Sequence, residues 1–452
     1  MRGCTRGAVR PHEQGRRLPA QPVYRPSPAV PPVPHRPDAG RQEEIVRKAN
    51  KSPGPGKRSA EGVPVNVGQP ALLRRLNESA VLEAIRKHGP MSRARLARQL
   101  SLSKSTVSEI VGTLLERRLV REVSRERPGP AGRHATLLDI VPEAGFVAGV
   151  DCGGTLVRAA VADLKGAVRA RRSGLTVRES LPALVDQLAT EVARAAAQAG
   201  AGAERLLAVA VGVPGAVRAA DASIQLCPNV PFLEGVNLAG LLQQRLHCLV
   251  VVDNDVNLGA VGEKWRGCAA NFPDFAYLAV GTGVGMGVVL NGSLYRGSHG
   301  FAGEVGYLPV PGPGGPTPLE QVVGGHAIVR EFLRRQPSPP PPAVREARDV
   351  FERALAGDPA ALAVTEQVAF ALAWAIASVA AVLDLPLVVL GGGVGLNPAL
   401  LPRVRELLHE LVPVPPELRP SVLGGDASLL GAIAVALRQG RMRIEDGGGC
   451  EP

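Results

Sequence analysis

Residues 251–263 read VVDNDVNLGAVGE and set an amide and an acid side by side, Asn254 and Asp255, where an apolar run ends. A carboxylate at a strand end can take a proton from a sugar hydroxyl while the neighbouring amide fixes that hydroxyl's orientation. The same letters suit a plainer role, with Asp255 only capping the helix that follows. Two more acids, Glu304 and Glu320, lie in GSHGFAGEVGYLPVPGPGGPTPLEQVVGG (297–325), where they could accept hydrogen bonds from other hydroxyls.

Phosphate chemistry has its own candidates. In VDCGGT, Gly153 and Gly154 let backbone amides converge on an anion, Thr155 adds a hydroxyl, and Asp151 could hold Mg²⁺ through water. GTGVGMG, with Gly281, Thr282 and Gly283, offers a second such turn. Tight strand reversals use the same letters. A dinucleotide site would need a helix after the glycines, whereas both turns lead into strands. Two facing hairpin turns suit the two-lobed ATPase architecture of actin and hexokinase.

These residues need a frame, and the strand and helix patterns supply one. GFVAGVD, TLVRAAVAD and AVRARRS read as three strands, LPALVDQLATEVARAAAQAG as a helix, and LLAVAVGVPG and LVVVDND as further strands. FAYLAVGTGVGMGVVLNGSL repeats the strand–turn–strand plan of residues 146–164, which predicts two similar lobes. Helices and a strand, LPLVVLGGG, complete an α/β body assigned to residues 142–440, with a disordered tail at 441–452.

Ahead of the body, residues 68–141 read differently. LNESAVLEAIRKHGP, MSRARLARQLS and LSKSTVSEIVGTLLERR are three short helices, with Ser92 and Ser103 as N-caps. LVREV and HATLLDI follow as a hairpin around RPGPAGRH, so the order predicts a winged helix-turn-helix. Ser103, Lys104, Ser105, Thr106 and Ser108 would face the major groove, and Arg127 and Arg133 of the wing the minor groove. A bare three-helix packing module is the alternative.

Charge supports the DNA reading. The net charge of +11 is uneven: residues 1–140 hold 27 Lys and Arg against 12 Asp and Glu, a balance of +15, and the rest carries −4. A basic front on an acidic body suits a polyanion, although 13 of those 27 cations lie before residue 60 and fit a solvated tail. Residues 1–67, rich in Pro, Arg and Gly, are expected to be disordered. Six scattered cysteines argue against a disulfide framework or zinc knuckle and fit a reducing cytoplasm. The longest apolar run, Val368–Leu383, is shorter than the ~20 residues a membrane span needs, so no membrane is expected.

Taken together, DCGGT, GVPG, NDVNLGAVGE, GTGVGMGVVLNGSLYRGSHGFAGEVG and LGGGVGLNP, in this order between about Gly68 and Leu437, resemble the ROK family of repressors and sugar kinases. The resemblance is to its regulators with an N-terminal winged helix. It implies a winged helix-turn-helix followed by a two-lobed, actin/hexokinase-like (ribonuclease H-like) domain. Asp151 to Thr155 and Gly281 to Gly285 would then contact ATP phosphates where ATP is bound, and Gly391, Gly392 and Gly393 would lie near the nucleoside. Asn254, Asp255, Glu304 and Glu320 would line the sugar pocket, with Asp255 as base.

The family's GE-x-GH ends here in Tyr307, which takes the place of a histidine that touches sugar and zinc. The family's cysteine cluster is replaced by PGPGGPTP, with only His299 and His326 nearby, so zinc is not expected. These losses argue against efficient phosphoryl transfer, and the retained Asp255 argues for it. The leading expectation is a cytoplasmic, sugar-responsive repressor, a homodimer or homotetramer bound to a double-stranded operator and released by a sugar or sugar phosphate. The alternative is a hexose or N-acylhexosamine kinase, using ATP and Mg²⁺, with a regulatory DNA-binding arm. A scaffold without ligand leaves the polar strand-end cluster unexplained.

Overall fold

Local chemistry sets the element boundaries at the N-terminal end. A computed structural model describes residues 70–126, 135–312, 314–336 and 344–445. Helix α1 (Pro70–His88) stops before Gly89, which takes φ +76°, and β1 (Met91–Ser92) follows. Ser92 caps α2 (Arg93–Leu100) by accepting from the Arg95 amide at 3.4 Å. Ser103 caps α3 (Lys104–Glu116) by accepting from the Thr106 amide at 3.0 Å. Both satisfy an amide the first helical turn leaves without a partner. Strands β2 (Val120–Glu126) and β3 (Ala135–Ile140) pair antiparallel and β1 joins the free edge of β3, giving a winged helix-turn-helix. The expected wing contacts Arg127 and Arg133 lie outside the described residues, as do residues 1–67, expected to be disordered, and residues 446–452 of the tail expected at 441–452.

The body starts with β4 (Phe146–Cys152), β5 (Leu156–Asp163) and β6 (Val168–Leu175), followed by α4 (Leu181–Gln198) and β7 (Leu206–Val213). A small hairpin, β8 (Ala216–Val217) and β9 (Ile224–Gln225), precedes α5 (Leu238–Leu246), β10 (Leu249–Asn254) and α6 (Asp255–Arg266). The sheet order is β10-β7-β4-β5-β6, antiparallel through the first three strands in sequence and parallel for β7 and β10.

Lobe 2 repeats this plan. Strands β11 (Phe275–Val280), β12 (Val284–Leu290) and β13 (Ser293–Tyr295) form an antiparallel meander. A short hairpin, β14 (Pro309–Gly312) and β15 (Gly315–Pro318), leads into α7 (Glu320–Val323), α8 (Gly325–Arg334), α9 (Ala347–Leu355) and α10 (Pro359–Leu383). Then come β16 (Leu387–Gly391), α11 (Gly392–Gly395), α12 (Leu401–Leu411), β17 (Glu417–Pro420) and α13 (Ala427–Glu445). The order β13-β12-β11-β16-β17, with β16 and β17 parallel to β11, matches lobe 1 strand for strand. The weak sequence echo is thus a full topological repeat. By length and composition α10 could cross a membrane, yet Val364, Val368, Leu372 and Ile376 are buried in the core of lobe 2.

One expected boundary needs correction. The sequence pattern ends the body at residue 440, whereas α13 continues to Glu445. Its last turn is held by the arm: Ile444 is buried in the same apolar cluster as Val107, Ile110 and Leu114 of α3. Periodicity beyond Leu437 is masked by RQGRMR, in which Arg441 pairs with Glu83 and Arg443 donates to the Leu207 carbonyl.

Candidate functional site

The acids of the sequence motif come together at the N-terminus of α6. Asn254 is the N-cap: its Oδ1 accepts from the amides of Val256 (2.9 Å) and Asn257 (3.0 Å), and its Nδ2 donates to the carbonyl of Gly215 at 3.2 Å. The side chain given to hydroxyl orientation therefore braces the GVPG turn against the helix. Asp255 stands one residue further, in the first turn, and is not itself the cap. Burial pushes its carboxyl up, the charge of Asp151 adds to this, and the Val256 amide at 2.9 Å opposes it, leaving it at about 7. A carboxyl poised there is suited to general-base work near neutral pH.

Glu304 faces the same acid network. Its carboxyl is raised by burial and then by the charge of Glu320, and Glu304 in turn raises Asp255. The loop that presents it is fixed by Gly303, at φ +92°, whose carbonyl accepts from the Met286 amide at 2.9 Å. A Cβ on Gly303 would lie 1.7 Å from the Met286 oxygen, so only glycine fits this approach. Glu320 accepts from the Val284 amide at 2.9 Å and so locks the second glycine turn. Tyr307 closes the short helical turn after Glu304 and is 62% exposed, so its ring rims the cluster rather than filling it.

Arg296 provides a cation that sequence reading passed over. It reaches from lobe 2 to Asp253 with contacts of 3.2 and 2.6 Å, and Asp253 also accepts from Asn257 Nδ2 at 3.3 Å. Asp253 is 4% exposed, so this bridge ties the lobes together directly behind Asn254.

The two glycine turns are largely self-satisfied. The Gly153 amide donates to the Leu156 carbonyl at 2.9 Å, and the Gly153 carbonyl accepts from the Thr176 hydroxyl at 2.7 Å. The Gly281 amide donates to the Gly283 carbonyl at 2.9 Å, while Gly325 donates to Gly281 at 2.8 Å. Thr155 is exposed and Gly154 half-buried. Gly391 and Gly392 start α11, and a Cβ on Gly391 would strike the Tyr277 hydroxyl at 2.2 Å and its ring at 2.5 Å, a packing demand of its own.

Asp151, expected as a Mg²⁺ anchor, has both oxygens taken. Arg158 binds one with its Nε at 3.0 Å, and the Ser428 hydroxyl donates to the other at 3.0 Å. As arranged, this carboxylate does not fit a hydrated cation. Hairpin register could have revealed the partner, because Asp151 and Arg158 lie opposite each other across β4 and β5. Zinc fits no better at 309–318, where the β14–β15 hairpin presents prolines and glycines with no thiolate or imidazole.

At the DNA-reading end, Lys104, Ser105 and Ser108 are exposed on α3, opposite buried Val107, Ile110 and Val111. Ser103 and Thr106 are partly consumed by the cap, with their hydroxyls 2.8 Å apart. The arm is joined to α6 through α13. Gly262 and Gly431 let α6 and α13 touch backbone to backbone: a Cβ on Gly431 would sit 1.7 Å from the Leu258 carbonyl. Further along α13, Arg441 pairs with Glu83 of α1 at 2.8 Å, and Arg117, the C-cap of α3, donates to the Ile444 carbonyl.

Comparison with known proteins agrees with this architecture. The ROK family model matches residues 147–439, and the MarR family model matches residues 74–133 of the arm. The xylose repressor of Bacillus subtilis (strain 168) is 29% identical over 246 residues, covering 54% of this chain and 63% of the relative. This chain spans about three-fifths of the length of the curated repressors it matches. A glucokinase of Halalkalibacterium halodurans is 30% identical over 308 residues, or 63% of this chain and 92% of that enzyme. The crystal structure of a ROK family transcriptional regulator, a homolog of the E. coli MLC protein, superposes with a TM-score of 0.70 at 22% identity. It covers 83% of this chain and all of that one, a likeness of fold that includes the arm. With a family model spanning well over half its length, the chain belongs to the ROK family.

Proposed function

We propose that this protein is a sugar-responsive transcriptional repressor, in which a sugar held near Asp255, Glu304 and Glu320 alters how the winged helix engages its operator. One observation carries this reading: a single apolar cluster runs from the inner face of the recognition helix (Val107, Ile110, Leu114) through Ile444, Leu437 and Ile433 of α13 to Leu258 of α6. The helix that begins at Asp255 thus shares a core with the helix that would read DNA. A shift of α6 on sugar binding has a packed route to the arm, and packed interiors transmit such shifts. Pairing of two copies would match two half-sites, and DNA, sugar and a second copy are the partners this reading requires, in the cytoplasm.

A mobility shift on DNA upstream of the protein's own gene tests it, with a panel of sugars that begins with xylose, named in the relatives. One sugar is expected to abolish a specific shift; a shift indifferent to every sugar, or no shift at low salt, refutes the reading. Lys104→Ala is expected to weaken binding on any sequence and lower the salt slope by about 1, as loss of one phosphate contact does.

Sugar kinase activity is the second reading, and the Asp255 carboxyl at about 7 favours it. The engagement of Asp151 by Arg158 and Ser428 weighs against it. Sugar-dependent ATP consumption that Asp255→Asn abolishes would establish the kinase.

A further inference from the structure

A cavity of about 430 Å³ lies where arm and body meet, far along α6 from Asp255. Its walls come from α1 (Glu83, Arg86), from the last turn of α6 (Trp265), and from α13 (Leu437, Arg438, Arg441). Among the described residues that line it, three carry guanidinium groups and one a carboxylate. Glu83 is shared, accepting from Arg86 Nε at 2.7 Å and Arg441 Nη1 at 2.8 Å. Arg438, exposed on the same wall, makes no hydrogen bond or ion pair among the described residues. Among the described residues the cavity therefore keeps an excess of positive charge, carried by Arg438.

The rest of the lining is mostly apolar, with Ser79 its one polar member. The Trp265 indole has the Arg266 guanidinium 3.9 Å from its ring centroid. Its edge abuts Gly166 in the β5–β6 turn, where a Cβ would come within 2.7 Å of the ring. Leu437 adds an aliphatic surface. Indole ring, aliphatic surface and guanidinium groups together define a receptor for a small anion with an apolar body.

We propose that this junction cavity is a second effector site, distinct from the carboxylate cluster at the start of α6, and that it binds a small organic anion, a phosphate or carboxylate carried on a ring. The anion pairs with Arg438 and competes with Glu83 for Arg86 and Arg441. Occupancy thereby loosens the Glu83–Arg441 link between arm and body. The site goes beyond the repressor reading, because binding to it needs neither sugar nor DNA.

The test uses the full chain and the fluorescence of Trp265, one of only two tryptophans in the sequence, in a Trp374→Phe background. Phenyl phosphate, inorganic phosphate, benzoate and neutral benzyl alcohol are titrated at constant ionic strength, with calorimetry on the unaltered chain as a check. Phenyl phosphate or benzoate is expected to saturate, whichever headgroup the site prefers, and benzyl alcohol to leave the signal unchanged. Arg438→Ala is expected to weaken binding by about tenfold, the value of one charge-assisted contact. Glu83→Gln is expected to tighten it, since the competing carboxylate is gone. No saturable binding by fluorescence and calorimetry overturns the proposal. So does binding that Arg438→Ala leaves intact, or that Glu83→Gln weakens.

Discussion

The two lobes share one strand order and differ in what they are fastened to. Lobe 2 has a core of its own, built on α10 with Val364, Val368 and Ile376. Lobe 1 strands β4, β5 and β7 contribute Val147, Ala160, Leu207 and Ala210 to the cluster that also holds the arm. The acids split along the same line: Asp151 and Asp255 belong to lobe 1, Glu304 and Glu320 to lobe 2. A ligand gripping both sets must pull one lobe against the other, and only lobe 1 carries the arm. The two sheets share one strand order, and the extra helix α13 makes them unequal in attachment.

That contrast can be broken by core substitutions. Ile376→Ala in lobe 2 is expected to cost about 3 kcal/mol, and Ile444→Ala at the arm junction about 2 kcal/mol, as buried large-to-small changes do. Hydrogen exchange separates them: Ile444→Ala should open the amides of α1 and α3 first, whereas Ile376→Ala should leave them protected. Equal exposure of the arm in both variants would mean that the lobes do not differ in their attachment.

Arg158→Ala sharpens the comparison of the glycine turns. Removing the guanidinium leaves Asp151, 6% exposed, with Ser428 alone, an expected loss of about 1–3 kcal/mol in urea denaturation. The freed carboxylate should then accept Mg²⁺, seen as a rise in melting temperature with Mg²⁺ in the variant and none in the parent. No Mg²⁺ effect in the variant would show that more than Arg158 keeps a cation out.

Asp255 gives a smaller effect with a definite sign. Its carboxyl is raised from 3.8 to about 7 in the folded protein. Between these values the native state binds more protons than the unfolded chain, so this group makes stability fall as pH rises from about 4 to about 7. Asp255→Asn should remove that slope and gain stability relative to the parent at pH 7 and above, read from melting curves across the range. A parent slope that persists in the variant would place the titration elsewhere.

Much of the architecture was legible locally. Ser92 and Ser103 are caps, the apolar spacing of α1 to α3 marks their inner faces, and glycine turns between β-rich runs mark both lobes, because capping, periodicity and φ preference act within a few residues. Asp255, Glu304 and Glu320 were identifiable as acids in turn-rich loops. What each side chain touches was not. Asn254 was read as a hydroxyl guide and serves as a cap; Asp151 was read as a cation anchor and is held by Arg158 and Ser428. The Ser428 partner lies 277 residues away, beyond any local pattern.

The sequence alone determined the order of the elements, the two strand–turn–strand repeats and the set of acids available, since these depend on neighbours a few positions apart. Only the tertiary structure decided that α13 runs on to Glu445 and joins α6 to the arm. It also decided that Arg296 bridges the lobes and that Arg86 and Arg441 share one glutamate at the junction. Those arrangements come from close packing and charge pairing between segments hundreds of residues apart, and only the folded chain brings such segments within reach.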